Sequence, residues 1–429
     1  RKLLEERYLF YQALNAFTEE LYISYPKADE KKEFIVSDFL KSLEKIVEIK
    51  PLDLEEFKNK IFTVNEFYSE VDSLPYAEIQ QLNDEQQQRV NSIHKIRERL
   101  SKRNKNEADD EFSGFITRTE LLKNLQNRNK EKYFSITELE TFAKCPYKYF
   151  LSNILDLYEE EEVEEDVTRK EIGLLLHRIL QRFFSKLKNE KRQFYAELDS
   201  KKDELYAELI LIAKDEVEKI KTVNPYFFLV EEYFLGSEKV KSALESFLQY
   251  EQENEVRINP FEFEKYLQVE LNTVDGEAIR LRGKIDRIDF DEKTKSIRVI
   301  DYKTGAYLPS AQDIADNVSL QMPLYLKMCE KAFEDQFKKI TLSDSIFLQI
   351  KKEAAKYKIN ELSLRRMLKA KSNDEFISAV NEKLDEVKTM ISAIASGKFN
   401  LTNLKNYEYR ICRNCNFSPV CRVNSVAQS

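Results

Sequence analysis

The sequence predicts an α/β fold in which helices pack on both sides of a sheet. Two extended apolar runs, Leu281 to Ile288 and Ile297 to Ile300, flank the polar stretch Asp291 to Ser296, which is a turn signal and indicates a β-hairpin. Further strands are predicted at Phe263 to Leu271 and Ile346 to Ile350. Only seven glycines and nine prolines in the chain favour long helices with few tight loops around these strands.

Composition limits the class of protein. At 429 residues the chain exceeds one average domain, and 42% hydrophobic residues are enough to bury a core. No apolar run approaches a membrane span and no secretory signal is visible, so we expect a cytoplasmic protein without a membrane partner. The first residue is Arg1 rather than methionine, which indicates a fragment of a longer protein. Because the net charge is −8, any DNA-binding surface has to be segregated on one part of the molecule.

The first segment, residues 1–48, opens with apolar spacing that fits a helix to about Phe17 and then a short strand, Leu21 to Tyr25. The run Glu5 to Ala16 resembles the last sequence motif of the UvrD-like helicases, whose helix carries an arginine that contacts the nucleotide γ-phosphate. Asn15-Ala16 stand at that point here, and alanine cannot stabilise the charge as arginine does. The resemblance therefore implies the end of a degenerate helicase-like domain that no longer hydrolyses ATP.

The second segment, residues 49–132, is highly charged and sparsely patterned, and we interpret it as a helical linker region. Glu85 to Arg99 is predicted to be helical, and Ser101 to Glu111 is polar enough to form a mobile loop.

Acidic side chains occupy unusual positions in the predicted hairpin. Asp286 lies in the middle of the first strand, and Asp301 and Lys303 end the second strand on one face. Aspartate is unfavourable in strands, and a buried carboxylate needs a partner or a metal ion. Two carboxylates and an ammonium group on one face could hold Mg²⁺ or Mn²⁺ beside a water molecule. The alternative is an exposed hairpin with salt-bridged acids.

Helices on either side supply further candidates. The amphipathic helix Glu171 to Leu187 carries His177, which by itself would usually be a core residue. The helix Ala311 to Ala332 places Gln321 and Tyr325 on one face. Glu270 could complete a metal site or face solvent, and both readings stay open at this point.

Three cysteines lie within ten residues, in the pattern Cys412-x₂-Cys415-x₅-Cys421. Cys145, which ends a helix capped by Ser135, is the obvious fourth member of the set. Four thiolates could hold tetrahedral Zn²⁺ or a [4Fe–4S] cluster, whereas Cys329 has no partner by spacing and is predicted to lie in the core.

These motifs together resemble a known family. Gly-x-Ile-Asp-Arg-Ile-Asp around Asp286, Ile-Asp-Tyr-Lys-Thr-Gly around Asp301, and Gly-x-x-x-His ending at His177 resemble the RecB-like PD-(D/E)XK nucleases. The arrangement of one cysteine before and three after this core is similar to the nucleases with an iron–sulfur staple, namely AddB-type subunits of helicase–nucleases and the Cas4 exonucleases. The resemblance implies a nuclease domain over residues 133–429, with a restriction-endonuclease-like core, a mixed sheet and extensive helical additions.

The resemblance also implies roles for individual residues. His177, Asp286, Asp301 and the Tyr302 carbonyl would bind Mg²⁺ or Mn²⁺, and Lys303 would orient a water molecule or stabilise the transition state. Gln321 and Tyr325 would contact the DNA backbone or the surroundings of that lysine. A [4Fe–4S] cluster would be held by the four cysteines, which are Cys145, Cys412, Cys415 and Cys421.

The implied substrate is single-stranded DNA from double-strand ends, fed by an AddA-like motor subunit, with the 5′-ended strand favoured. Two alternatives remain, a DNA-end clamp whose nuclease is idle and a free-standing Cas4-like exonuclease. The intact Asp286, Asp301 and Lys303 argue against the first, and the helicase-like first segment argues against the second.

Overall fold

The structure, a computed structural model, divides the chain into two compact units, Arg1–His94 and Lys95–Ser429. It describes residues 2–19, 21–25, 35–50, 82–105, 110–158, 169–221, 227–273, 278–353 and 356–421. Much of the predicted linker region, residues 49–132, lies outside the described residues, so the three-part division of the chain stays a prediction.

The described residues of the first unit include the helices α1 (Lys2–Leu14) and α2 (Asp38–Leu43). Helix α1 confirms the predicted N-terminal helix, although it ends three residues before Phe17. The predicted strand Leu21 to Tyr25 is wrong, because these exposed residues pair with no strand in the described part of the chain. A short apolar run favours a strand only where a neighbouring strand can take up its backbone hydrogen bonds.

Helix α3 (Asp84–Asn104) confirms the predicted helix Glu85 to Arg99 and extends beyond it. The predicted loop Ser101 to Glu111 is therefore wrong at its start, because the helix continues through its polar final turn. At its end, Asp110 accepts hydrogen bonds from the backbone of Phe112 and Ser113, which fixes a 3₁₀ turn, while residues 106–109 lie outside the described part.

A six-stranded mixed sheet organises the second unit. Its strands are β1 (Phe134–Ser135), β2 (Pro260–Asn272), β3 (Ala278–Asp291), β4 (Ser296–Lys303), β5 (Thr341–Glu353) and β6 (Lys356–Ser363). The strand order is β1-β3-β4-β5-β6, and β2 pairs only with β3 among the described strands. Strands β3 and β4 form the predicted antiparallel hairpin, β4 and β5 run parallel, and β2 contains the predicted strand Phe263 to Leu271. The mixed sheet is confirmed.

Helices cover the sheet in two layers, each with its own apolar core. The first layer contains α4 (Thr119–Lys130), α5 (Ile136–Lys144), α6 (Pro146–Tyr149), α12 (Ala311–Ala315), α13 (Gln321–Phe337), α14 (Leu364–Met367) and α15 (Asn373–Ala395). The second contains α7 (Arg169–Asn189), α8 (Phe194–Ser200), α9 (Lys202–Lys221), α10 (Phe227–Leu235) and α11 (Ala243–Glu253). A last short helix, α16 (Ser418–Cys421), ends the described chain. Helices on both sides of the sheet were predicted, and this is confirmed.

The predicted continuous helix Ala311 to Ala332 is wrong, because it is broken into α12 and α13. Ser310 and Asp313 form a reciprocal capping box that starts α12, and Asn317 takes a positive φ of 59° after it ends. Helix α13 begins anew where the Glu140 carboxylate accepts hydrogen bonds from the backbone N–H groups of Leu320 and Gln321, at 2.7 and 3.2 Å. The break places Gln321 in the first turn of α13, next to the end of β4.

A buried ion network explains the second aspartate of the hairpin motif. Asp289 is fully buried and accepts hydrogen bonds from Arg287 at 2.6 Å and from Arg298 at 2.7 Å. Arg287, also fully buried, donates to Glu251 of α11 and so ties β3 to the second helical layer. Such a network is costly unless every charge is paired, which is the case here. Asp289 therefore has a structural role. Of the two aspartates in the Gly-x-Ile-Asp-Arg-Ile-Asp motif, Asp286 is the one available for chemistry.

None of the described helices combines the length and the apolar character that crossing a membrane requires.

Candidate functional site

The candidate site lies where β3 and β4 separate. Their pairing ends at Arg287 and Ile300, so the next backbone N–H group of β4 that faces β3, at Tyr302, needs another acceptor. The Asp286 carboxylate supplies it, accepting from Tyr302 N at 2.8 Å. A buried aspartate in mid-strand thus holds the ends of two strands together and leaves its second oxygen, Oδ1, for other partners.

His177 reaches this point from α7. Gly173 lies one turn earlier on α7, and a Cβ there would meet Thr304 Oγ1 at 3.1 Å, so glycine allows the helix to approach the end of β4 closely. The imidazole of His177 then lies beside Tyr302, with Nε2 3.3 Å from the carbonyl oxygen. On the other side of the ring, Nδ1 is 3.3 Å from Asp286 Oδ1. The structure brings three of the four predicted metal ligands together in this way.

A carboxylate that the sequence analysis missed, Glu264 of β2, joins this group. Its Oε1 is 2.9 Å from His177 Nδ1 and its Oε2 is 2.6 Å from Lys284 Nζ. His177, Glu264 and Asp286 each offer a ligand atom, and these atoms lie within 4.8 Å of one another. Glu264 has a φ of 48°, in the left-handed region that is strained for a residue with a side chain.

Glu270, left open by the sequence, does not reach this group. Its half-exposed carboxylate pairs with Arg280 at 2.8 Å, so it faces solvent. The pairs on either side, Phe263 with Arg287 and Lys265 with Ile285, place Glu264 opposite Asp286 in the neighbouring strand, a relation that apolar spacing in the sequence does not reveal. Two carboxylates at opposing positions repel each other unless a cation lies between them.

Asp301 and Lys303 leave β4 on one face, as predicted. Lys303 Nζ lies 2.6 Å from Asp301 Oδ2 and donates a hydrogen bond to Gln321 Oε1 at 2.9 Å. The Asp301 carboxylate is thus turned toward Lys303, and it lies outside the set of ligand atoms within 4.8 Å. Gln321 contacts the lysine, which was one of its two expected roles.

Tyr325 lies one helical turn after Gln321 and is buried, 6% exposed, beneath β3. Burial, together with the nearby Asp301 and Asp286 carboxylates, raises the pKa of its hydroxyl. Gly283 makes room for the ring, because a Cβ at this position would lie only 2.8 Å from Tyr325 Cε1. Tyr325 therefore packs behind the carboxylates and fixes the strand that carries Asp286.

The electrostatics show a concentration of negative charge. Burial and the Asp286 carboxylate raise the pKa of Asp301 to about 7, against the opposing effect of Lys303. Burial disfavours the charged form of His177, but hydrogen bonds to Asp286 and Glu264 outweigh it and raise its pKa to about 10. The Glu264 and Asp286 carboxylates beside one imidazole, together with the Tyr302 carbonyl and the nearby Asp301, give the oxygen-rich donor set that Mg²⁺ and Mn²⁺ prefer, so the residues present fit such an ion.

The four predicted cysteines lie together at a second place. One cavity is lined by all of them, namely Cys145, Cys412, Cys415 and Cys421. Burial and the three neighbouring thiols raise the pKa of Cys412 to about 11, and burial raises the pKa of Cys145. The thiols are therefore neutral by themselves, whereas a metal centre bound among them would stabilise their thiolate forms. Cys329, in contrast, is fully buried in the first core, as predicted.

Relatives with curated descriptions resemble most of the chain. It is 27% identical over 391 residues to a protein of Clostridioides difficile named as a subunit of an ATP-dependent helicase/deoxyribonuclease, an alignment that covers 82% of this chain and 32% of the relative. The protein of the same name from Caldanaerobacter subterraneus is 27% identical, with 78% and 30% covered. The exonuclease/helicase protein RexB of Lactococcus lactis is 25% identical, with 64% and 24% covered. The chain thus spans a third or less of the length of these relatives, and the resemblance to AddB-type subunits is confirmed.

The sequence profile of the PD-(D/E)XK nuclease superfamily matches residues 133–422, about two thirds of the chain. This range contains the mixed sheet, the carboxylates at the strand ends and the four cysteines. The predicted fold class is confirmed, and the chain belongs to the PD-(D/E)XK nuclease superfamily.

Proposed function

We propose that this chain is a metal-dependent deoxyribonuclease, the nuclease portion of a helicase–nuclease subunit that processes double-strand DNA breaks. The observation that carries the proposal is the convergence of His177, Glu264, Asp286, Asp301 and Lys303 where β3 and β4 separate. Relatives named as helicase/deoxyribonuclease subunits favour this reading over a free-standing Cas4-like exonuclease. The closely placed carboxylates and the ordered lysine favour it over an idle clamp.

The metal would be held by His177, Asp286, Asp301 and the Tyr302 carbonyl, with Glu264 as a further carboxylate. When bound, Mg²⁺ or Mn²⁺ polarises the phosphate and lowers the pKa of a coordinated water molecule. Asp286 has two tasks, because one oxygen holds the Tyr302 N–H in place while the other remains directed at His177. The Tyr302 carbonyl is thereby oriented by a side chain of the neighbouring strand.

Lys303 would act on the reacting water or on the charge that develops on the phosphate. Its ammonium group is oriented by Asp301 on one side and by the Gln321 amide on the other. Because the three groups come from β4 and from the first turn of α13, little reorganisation is needed when a phosphodiester arrives. Gln321 is therefore a positioning residue in this mechanism, and Tyr325 supports it from behind the sheet.

We propose that the four cysteines hold a [4Fe–4S] cluster that fastens the two ends of the nuclease domain. A tetrahedral zinc ion would draw its sulfur ligands to about 3.8 Å from one another, given Zn–S bonds of about 2.3 Å. No three of the four cysteine sulfurs, all of them in described residues, lie within 4.8 Å of one another. The wider spacing around a shared cavity supports a larger group than a single ion.

The substrate and partner follow from the same reading. Single-stranded DNA, with the 5′-ended strand favoured, would be fed from an AddA-like motor subunit in the cytoplasm. The chain would hydrolyse no ATP by itself, because Asn15 and Ala16 follow α1 where the helicase motif has its arginine.

The test is cleavage of end-labelled single-stranded DNA by the 429-residue chain in Mg²⁺ or Mn²⁺. Asp301→Ala and Lys303→Ala should lower the rate by roughly 10³-fold or more, because each removes several kcal/mol of transition-state stabilisation. Lys331→Ala is the matched control, since this exposed lysine of α13 pairs only with Glu334 among the described acids. Comparison of 5′ and 3′ labels gives the polarity. Undiminished cleavage by either site variant would show that the site is assigned wrongly.

A further inference from the structure

Among the described residues, no helix or strand covers one face of the β2–β3 pair next to the candidate site. The first helical layer covers the opposite face, on which Leu267, Val269 and Leu281 are buried. The second layer packs on the other side of β4, β5 and β6, through residues such as Ile300 and Leu348. Away from the candidate site, the side chains at positions 266, 268, 282 and 284, which alternate with the buried ones, therefore remain exposed.

These exposed side chains form what we call the β2–β3 strip, which consists of Tyr266, Gln268, Arg282 and Lys284. The antiparallel register places Tyr266 opposite Lys284 and Gln268 opposite Arg282. Gln268 donates a hydrogen bond to the Tyr266 hydroxyl at 3.1 Å, so both side chains lie on the same face. Tyr266 is 55% exposed although it is aromatic, and Lys284 is 59% exposed.

The strip is continuous with the candidate metal site. Lys284 Nζ contacts Glu264 Oε2 at 2.6 Å, and Glu264 in turn contacts His177. Tyr266 is two residues from Glu264 on the same strand, a step of roughly 6.6 Å, and Arg282 lies one further step away from Lys284. A ligand that reached the metal site along this face would pass Arg282 and Tyr266 before it met the carboxylates.

The charge of the strip is opposite to that of the whole molecule. The chain carries a net charge of −8, yet the four side chains of the strip include two cations. The two carboxylates that flank the strip on this face each pair with a cation, Glu264 with Lys284 and Glu270 with Arg280. Two cations beside an exposed aromatic ring suit a phosphate backbone with stackable bases, and an acidic DNA-binding protein requires such a local surface.

We propose that the β2–β3 strip is the track on which single-stranded DNA lies as it enters the nuclease site. Arg282 and Lys284 contact successive phosphates, and Tyr266 stacks on a base. This proposal rests on the proposed function for the identity of the polymer. It adds the path of the strand and three residues that hold it.

The first experiment measures binding of fluorescent oligo(dT) to the full chain by anisotropy in EDTA, so that no cleavage occurs. Arg282→Ala combined with Lys284→Ala should reduce the slope of log affinity against log salt by about 1.4, since each phosphate contact on a single strand contributes about 0.7. Lys241→Ala is the control, because this exposed lysine near α11 pairs with Glu245 and lies on the helical layer. It should leave the slope unchanged.

The second experiment isolates stacking. Tyr266→Ala should weaken oligo(dT) binding about 5- to 150-fold, the range that corresponds to one lost base–aromatic stack, whereas Tyr266→Phe should bind like the parent chain. An oligonucleotide without bases should bind to the parent chain, to Tyr266→Ala and to Tyr266→Phe with equal affinity. Circular dichroism and the melting temperature show that each variant is folded, and Arg282→Lys provides a charge-preserving version of the first test.

The outcomes separate this proposal from the proposed function. Normal oligo(dT) binding and an unchanged salt slope in the double variant, with cleavage intact, would overturn the track and leave the nuclease standing. Loss of binding in the strip variants would support the track even if the parent chain cleaved nothing. Equal losses for duplex and single-stranded DNA would overturn the assignment to a single strand, and a loss confined to the single strand would support it.

Discussion

The two candidate metal sites of this chain are built in different ways. The carboxylate site collects residues from β2, β3, β4 and α7, all of them anchored in a sheet with a core on each face. The cysteine site joins Cys145, between two short helices, to a terminal segment of turns that shares only a small apolar cluster. The packed sheet therefore positions the residues of the first site without a bound ion. At the second site, a bound group would itself stabilise the fold.

This contrast sets the expected effects. Loss of a ligand at the carboxylate site should impair chemistry and metal binding while the sheet stays intact. Loss of a ligand at the cysteine site should loosen both ends of the nuclease domain while the carboxylates keep their geometry.

The largest effect on stability is expected from Cys145→Ser. Cys145 and Cys412 are about 270 residues apart, and by the chain-entropy model a link that closes such a loop could contribute about 5–6 kcal/mol as an upper limit. The variant should lose the brown colour and the roughly four iron atoms per chain expected of anaerobically prepared protein, and its melting temperature should fall. Mn²⁺ binding to the carboxylate site, measured in the same sample, should persist.

Cys329→Ser is the matched control for that experiment, because this buried cysteine lies in the first core, outside the four-cysteine cavity. It should keep both the iron and the colour. Stoichiometric zinc without iron in anaerobic protein would replace the cluster with a zinc staple. Parallel loss of Mn²⁺ binding in Cys145→Ser would contradict the separation of the two sites.

The sequence predicted best those features of the site that depend on residues close together in the chain. The β3–β4 hairpin is local, so the positions of Asp286, Asp301 and Lys303 on it could be predicted from alternation and one turn signal. Glu264 was missed because its contribution depends on the register of β2 and on a positive φ, neither of which apolar spacing reveals. Similarly, the break before Gln321 depends on Glu140, a residue 181 positions earlier, whose carboxylate caps α13.

The carboxylate site can be tested through Glu264 itself. Glu264→Ala should weaken Mn²⁺ binding about 10- to 100-fold, because it removes a carboxylate that contacts His177 and lies within 4.8 Å of Asp286. Titration followed by electron paramagnetic resonance of free Mn²⁺ measures this without any substrate. Glu264→Gln keeps the hydrogen bond but not the charge, so its Mn²⁺ affinity should lie between that of the parent chain and that of Glu264→Ala.

Glu270→Ala is the control on the same strand, since this half-exposed glutamate pairs with Arg280 away from the site. It should bind Mn²⁺ like the parent chain. Equal affinity in Glu264→Ala and Glu270→Ala would mean that Glu264 plays no part in holding the ion.

The smallest effect on stability is expected at Arg103, which tests how the cysteine site is held in place. Arg103, near the end of α3, donates a hydrogen bond to the carbonyl oxygen of Cys421 at 2.6 Å and so holds the last cysteine of the described chain. Since the guanidinium group is only partly buried, Arg103→Ala should lower the stability by about 0.5–1.5 kcal/mol. The cysteine segment would then open more often, so iron should be lost to a chelator several-fold faster at an unchanged starting iron content.

Arg99→Ala, one turn earlier on α3 and over the Phe112 ring, should leave the rate of iron loss unchanged. An equal acceleration in both variants would show that α3 acts on the domain as a whole and has no specific hold on Cys421.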